Sequence, residues 1–289
     1  MYRPKSYIGS HFLAVRRLSV FAAFTLALMP LQALAVLLHL PLQRTIPYWY
    51  HRQVRRILGI RVERRGRQSR ERPTLYVCNH VSYLDIIVLG SLIKGSFVAK
   101  AEIASWPFFS WLAKLQRSVF VERRASRTGH HRDEMSRRLE SGDNLILFPE
   151  GTSSDGNRVL PFKSALFSVA ERRPHDRPLT VQPVTLSYVR LDGMPLGRYL
   201  RPYFAWYGDM ELPGHAWEAM GLGRLTVVVE FHPPVTIDQF GSRKKLGEHC
   251  FSEVSDGLSR ALGGRPRTRR KALAPGEPPA AALSAPEAQ

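Results

Sequence analysis

Apolar and polar positions divide the chain into three regimes. From Leu18 to Leu40 apolar residues form a nearly continuous run, interrupted only by Ser19, Thr25, Pro30, Gln32 and His39. A bilayer span needs about 20 apolar residues, so the length suffices. Three arrangements are open. One is a single transmembrane helix. Another is a bent helix or hairpin lying in one leaflet, broken near Pro30. The third is a signal peptide cleaved after Ala33-Leu34-Ala35, weakened by its long polar start and by the apolar residues that continue past that point. Arg16 and Arg17 precede the run, and Arg44, Arg52, Arg55 and Arg56 follow it. Cationic flanks on both sides suit a segment that enters and leaves one anionic face. Tyr48-Trp49-Tyr50 reads as an interfacial aromatic belt or as packing onto the following domain.

From Thr74 the pattern changes to short apolar blocks. Strands are predicted at Thr74 to Cys78, Ser96 to Ala99, Val119 to Val121, Leu145 to Phe148, Leu179 to Tyr188 and Leu225 to Phe231. Helices are predicted at Leu84 to Leu92, Trp106 to Leu115, Arg127 to Glu140 (ended by Gly142) and Ala165 to Glu171. Strands alternating with helices imply an α/β fold: a mixed, largely parallel sheet flanked by helices, with an N-terminal membrane-associated helical segment. After Leu262, Gly263-Gly264 leads into Arg265, Arg267, Arg269, Arg270 and Lys271, then an Ala/Pro-rich end. That composition predicts a disordered tail, either a membrane-surface tether or a solvated end.

The 44% hydrophobic content of the 289 residues supports a real core. Lys and Arg number 42 against 24 acidic residues, a formal charge of +18 that implies an anionic partner: nucleic acid, acidic substrate or membrane surface. Cys78 and Cys250 are the only cysteines, so a disulfide framework or thiolate zinc site is excluded. Cys78, just before Asn79-His80, reads as a buried strand cysteine or, more sharply, as a catalytic thiol.

The chain has no G-x-S-x-G elbow, no phosphate loop and no H-E-x-x-H. It does carry Asn79-His80-Val81-Ser82-Tyr83-Leu84-Asp85 at a strand end, where open α/β sheets place their ligands. Asp85 can reach back to one nitrogen of His80 and leave the other to accept a proton. Ser82 with Asp85 also resembles a capping box, which would make His80 a turn residue. The segment alone supports both readings. Two further clusters follow strands: Phe148-Pro149-Glu150-Gly151-Thr152-Ser153-Ser154, and Val119-Phe120-Val121-Glu122-Arg123-Arg124, with arginine at a strand end.

The order Asn-His-x-x-x-x-Asp, Phe-Val-Glu-Arg, Phe-Pro-Glu-Gly-Thr and then Gln182-Pro183-Val184 resembles the glycerolipid acyltransferase family, typified by bacterial 1-acylglycerol-3-phosphate acyltransferase. The four blocks span residues 79 to 185, with a looser likeness from about Trp49 to Asp238. The resemblance implies His80 as general base and Asp85 as its orienting partner. It implies Arg123 as contact to an anionic head group, Glu150, Gly151, Thr152 and Ser153 as the lining of the acceptor site, and Pro183 as part of the pocket wall. It also implies a division into an N-terminal membrane-associated segment (1–48), an acyltransferase domain (49–262) and the tail (263–289).

The implied acceptor is first 1-acyl-sn-glycerol 3-phosphate. However, Ser153 stands where the family block usually has arginine, which puts a phosphorylated acceptor in doubt and gives weight to lyso-ornithine lipid. Lys163 is a candidate to compensate. The implied donor is acyl-CoA or acyl carrier protein, with no metal or cofactor, and backbone amides near Gly151 are candidates to hold the oxyanion. Anionic lipid and cytosolic donors imply the cytoplasmic face of the inner membrane. A membrane-attached nucleic-acid binder and a lipid hydrolase using the same dyad remain the competing readings, although no nucleic-acid motif is present.

Overall fold

The computed structural model describes residues 9–106, 109–121 and 128–263. Arg123 and the basic tail beyond Gly263 lie outside the described residues. The chain order is α1 (His11–Leu37), α2 (Ile46–Ile57), β1 (Ile60–Gly66), β2 (Thr74–Cys78), α3 (Leu84–Gly90), β3 (Ser96–Lys100), α4 (Phe109–Leu115), β4 (Val119–Val121), α5 (Thr128–Glu140) and β5 (Leu145–Leu147). It continues with β6 (Thr180–Leu191), β7 (Met194–Pro195), α6 (Leu212–Gly221), β8 (Leu225–Phe231) and α7 (Arg243–Leu262). The strands form one sheet in the order β1-β8-β6-β2-β5-β3-β4, with β7 added to β6 as a hairpin. Pairing along this path is parallel except between β6 and β8. The predicted mixed, largely parallel sheet is therefore present.

Alternation along the strands builds two cores. Tyr76 and Cys78 face one side with Val184, Leu186, Val54, Leu84 and Met220, under α1, α2, α3 and α6. Leu75 and Val77 face the other with Leu145, Leu147, Val181, Leu139, Leu246 and Cys250, under α5 and α7. Five elements had no counterpart in the expectation: α2, β1, β7, α6 and α7. β1 is a strand although its sequence Ile-Arg-Val-Glu-Arg-Arg-Gly is mostly charged; it lies at the sheet edge, with Ile60 buried and Arg61, Arg64 and Gly66 exposed. The helix expected from Ala165 to Glu171 is present as a 3-10 helix over Ser164–Glu171. α7 packs on β6 and buries Leu246, Cys250, Val254 and Leu258, which recur every four residues.

α1 runs unbroken through Pro30, whose ring lies on the exposed face. The break near Pro30 that one of the three arrangements requires comes later: His39 takes a positive φ of 53° and Pro41 opens a short 3-10 turn into α2. Two of the polar interruptions, Thr25 and Gln32, lie on the helix's buried face together with Arg17, whereas Ser19 is exposed. Thr25 donates to Phe21 O and meets the Tyr50 hydroxyl at 2.9 Å. Gln32 donates to Gln43 O and Leu115 O. Arg17 donates to Met220 O, Leu222 O and Gly223 O, closing the carboxyl end of α6 with a cation that suits the helix dipole. The outer face presents Phe12, Val15, Val20, Leu26, Leu31, Leu34 and Leu37 to the surroundings. The aromatic trio divides: Tyr50 stacks on Phe24, Trp49 is half exposed, and Tyr48 lies beneath the cations of Arg52 and Lys94.

Candidate active site

β2 ends at Cys78, opposite Val184 of β6. The next residue extends the pairing with its side chain: Asn79 Nδ2 donates to Leu186 O (2.9 Å), and Leu186 N donates to Asn79 Oδ1 (2.8 Å). This amide clamp fixes where the chain leaves the sheet and delivers His80 to its carboxyl edge. His80 Nδ1 lies 2.8 Å from Asp85 Oδ2. The imidazole is 22% exposed and the aspartate fully buried. The same Oδ2 accepts the N–H groups of Val81 (2.6 Å) and Ser82 (3.0 Å), and Oδ1 accepts the Tyr188 hydroxyl (2.7 Å). Four donors on this fully buried carboxylate supply the hydrogen bonds that burial would otherwise deny it. Its contact with Nδ1 places a proton there and leaves Nε2 as the basic nitrogen. The capping reading and the dyad reading coexist, because Asp85 takes the Ser82 N–H and the His80 imidazole on one oxygen.

The Phe148 ring, just past β5, stacks on the imidazole with centroids 4.2 Å apart and fixes its plane. The following loop is bonded to the His80 backbone on both sides: His80 N donates to Glu150 Oε1 (2.9 Å) and Ser154 N to His80 O (2.9 Å). Glu150 Oε2 accepts from Leu160 N (3.2 Å), so both its oxygens hold backbone rather than facing a cleft. Burial pushes its carboxyl up to about 8, and the two N–H donors act in the other direction. Gly151 has φ +68°, and the Lys163 ammonium sits where a Cβ would project, 2.7 Å from it. The Gly151 N–H is donated to Phe148 O and the Ser154 N–H to His80 O, so these two amides are engaged within the loop rather than open to an oxyanion.

Ser153 donates to the Trp206 carbonyl, and Trp206 N donates to Val81 O, tying the 204–210 segment to the dyad. Thr152 is exposed. The structure thus brings His80, Asp85, Glu150, Gly151 and Ser153 into one cluster. Pro183 lies inside the sheet level with Val77, one pair below Cys78. Tyr188, Phe148 and Trp206 are additional residues; a tyrosine ending an apolar strand was the one sequence signal for Tyr188. Cys78 is buried and its thiol is pushed well up, first by desolvation and then by Asp85 and Glu150, so it is no thiolate nucleophile. Among the described residues no His, Cys, Asp and Glu group is suited to hold a metal ion.

A buried carboxylate behind a part-exposed imidazole, at the carboxyl edge of a mixed sheet, defines the class: an α/β protein with a histidine–aspartate dyad. Residues 59–187 match the family described as Acyltransferase. The chain is 43% identical over 267 residues to the lyso-ornithine lipid O-acyltransferase of Rhizobium meliloti (strain 1021), covering 91% of this chain and 90% of that protein. It is 32% identical over 198 residues to the 1-acyl-sn-glycerol-3-phosphate acyltransferase of Neisseria gonorrhoeae, covering 66% and 74% respectively. The crystal structure of the 1-acyl-sn-glycerophosphate (LPA) acyltransferase PlsC from Thermotoga maritima shares the fold, with TM-score 0.62 and 20% identity over 89% of this chain and 97% of that one. The chain belongs to the acyltransferase family and is an acyltransferase.

Proposed function

We propose that the protein moves a fatty acyl group from acyl-CoA or acyl carrier protein to the hydroxyl of lyso-ornithine lipid, with His80 as general base. The observation that carries the chemistry is the His80 Nδ1–Asp85 Oδ2 contact of 2.8 Å. His80 Nε2 takes the acceptor's hydroxyl proton as its oxygen attacks the thioester carbonyl. Asp85 stabilises the imidazolium. The tetrahedral intermediate then expels the thiolate, which takes the proton from His80, leaving an ester and a free thiol. The thioester is already activated, so no covalent acyl-enzyme is needed.

The sequence put 1-acylglycerol 3-phosphate first among acceptors; the similarity reverses that order. Identity to the lyso-ornithine lipid enzyme of Rhizobium meliloti is 43% over 91% of the chain, against 32% over 66% for the Neisseria gonorrhoeae glycerophosphate enzyme. Ser153 supports the same choice, since its hydroxyl is spent on the Trp206 carbonyl.

We further infer that the domain sits in one leaflet of the cytoplasmic membrane, on its cytoplasmic face. α1 is 27 residues long, about 40 Å, and apolar enough to cross a bilayer. Its contacts at Arg17, Thr25 and Gln32, however, tie it to the domain along most of its length, so the helix lies level with the domain. Its apolar outer face then enters the acyl region in the plane of the membrane. The excess of 42 basic over 24 acidic residues favours an anionic lipid surface.

The acceptor is tested with the purified protein in anionic vesicles, supplied with labelled acyl carrier protein and both lysolipids at equal concentration. The proposal expects kcat/KM for lyso-ornithine lipid to exceed that for 1-acylglycerol 3-phosphate by at least about tenfold. The opposite preference assigns the protein to phosphatidate formation and sinks the acceptor reading.

A further inference from the structure

We propose that Tyr188 is a positioning residue for the reaction: it holds the Asp85 carboxylate in register with His80 and sets how strongly that carboxylate supports the imidazolium. This rests on the reading of His80 as general base.

The geometry follows from the unequal lengths of two neighbouring strands. β2 has five residues and stops at Cys78, whereas β6 has twelve and runs on past Val184, its partner there. The continuation is used twice. Leu186 receives the Asn79 clamp, and two residues on, Tyr188 points to the same face and gives its hydroxyl to Asp85 Oδ1 at 2.7 Å. Val184, Leu186 and Tyr188 all belong to the core that Cys78 and Leu84 enter, so strand alternation alone aims the phenol at the dyad. The alternation breaks immediately afterwards, with a register shift between Tyr188 and Arg190. β6 is thus a ruler: the Leu186 backbone fixes the exit of His80, and the Tyr188 side chain fixes its carboxylate partner.

The placement of the two hydrogen-bonding edges gives Tyr188 its effect. Oδ2 carries His80 and two backbone N–H groups, while Oδ1 accepts from Tyr188 alone among the described residues. Both partners are buried, Tyr188 at 1% exposure and Asp85 at 0%, so water does not substitute for the phenol. Burial, and then the Asp85 charge, push the phenol well above its ordinary range, so it remains a donor at every working pH. A donor on Oδ1 draws charge from the carboxylate and moderates its pull on the imidazolium. Among the described residues the other titratable or charged groups around the dyad include Cys78 and Tyr83, both pushed upward by burial, Glu150, pushed up to about 8, and Arg201, whose Nε donates to Tyr188 O. All of these are unchanged in the variants below, so their effect is common to every curve.

The test is the pH dependence of acyl transfer for wild type, Tyr188→Phe, and protein carrying 3-fluorotyrosine at position 188, with His80→Ala as the blank. Tyr188→Phe keeps the ring and removes the donor. Its acid limb of kcat/KM is expected to move up by roughly half a unit to one unit, with kcat about tenfold lower and acceptor KM unchanged. The fluorinated phenol is a stronger donor of the same shape, and its acid limb is expected to move down. That variant keeps the question open to measurement if the phenylalanine protein folds poorly. Profiles that superpose on wild type in both proteins, with only the melting temperature altered, overturn the proposal and leave Tyr188 a packing residue. Transfer by His80→Ala at the wild-type rate overturns the general-base reading itself, and the Tyr188 proposal with it.

Discussion

Replacing Asp85 by asparagine isolates the charge of the dyad from its shape. The amide oxygen can take the place of Oδ2, accepting Val81 N, Ser82 N and the imidazole N–H, and the amide nitrogen then meets the Tyr188 hydroxyl, which turns to accept. The fold is therefore expected to survive with a loss of about 1 kcal/mol. The catalytic loss is larger. With charge centres about 4 Å apart and an effective dielectric near 20, the carboxylate stabilises the imidazolium by roughly 4 kcal/mol, of which the amide dipole keeps a minor part. A deficit of about 3 to 4 kcal/mol in the transition state lowers kcat by roughly 10² to 10³-fold. KM for the acceptor is expected to stay within about twofold, because Asp85 is buried behind His80 and meets no substrate. The assay follows labelled acyl chains into the lipid fraction over a range of acceptor concentrations. A kcat within about threefold of wild type refutes the argument, as does a raised KM with unchanged kcat.

Glu150 gives a pH signature. Its carboxyl is raised to about 8 in the folded protein against an ordinary value near 4.5, so between those limits the native state binds more protons than the unfolded one. The contribution is present below pH 4.5 and is lost as pH rises toward 8, amounting to at most a few kcal/mol. Urea unfolding of wild type should show this decline relative to Glu150→Gln, which cannot titrate; parallel curves contradict it. Arg17→Ala strips three buried carbonyls of their donor and is expected to destabilise the protein by about 2 to 3 kcal/mol, read as a lower melting temperature in detergent. Leu26→Asp with Leu34→Asp, both on the exposed face of α1, should weaken vesicle flotation by roughly tenfold or more at unchanged circular dichroism. Flotation equal to wild type removes that face from the membrane.

The His80–Asp85 contact was within reach of the sequence because the two lie five residues apart on one strand-to-helix turn, although that spacing fitted a capping turn equally well. The sheet was legible for a similar reason: each inner strand is a compact apolar block. What escaped was fixed by distant partners. Tyr188 meets Asp85 across 103 residues, and nothing near either shows the pairing. β1 hid behind its arginines, since an edge strand needs apolar residues on one side only. Pro30 misled because a proline ring on an exposed helix face costs a hydrogen bond without forcing the chain to turn. Glu150 was placed at the acceptor by its neighbours in the motif, whereas its oxygens instead brace the backbone of His80 and Leu160.

The proposed reaction turns on His80 taking the proton of a lysolipid hydroxyl. The most direct test measures the rate at which labelled acyl groups from acyl carrier protein enter ornithine lipid, for wild type and for His80→Ala matched in melting temperature. Removal of the imidazole is expected to lower that rate by at least about 10²-fold. Transfer by the alanine protein at close to the wild-type rate contradicts this and returns the dyad to the role of a structural turn.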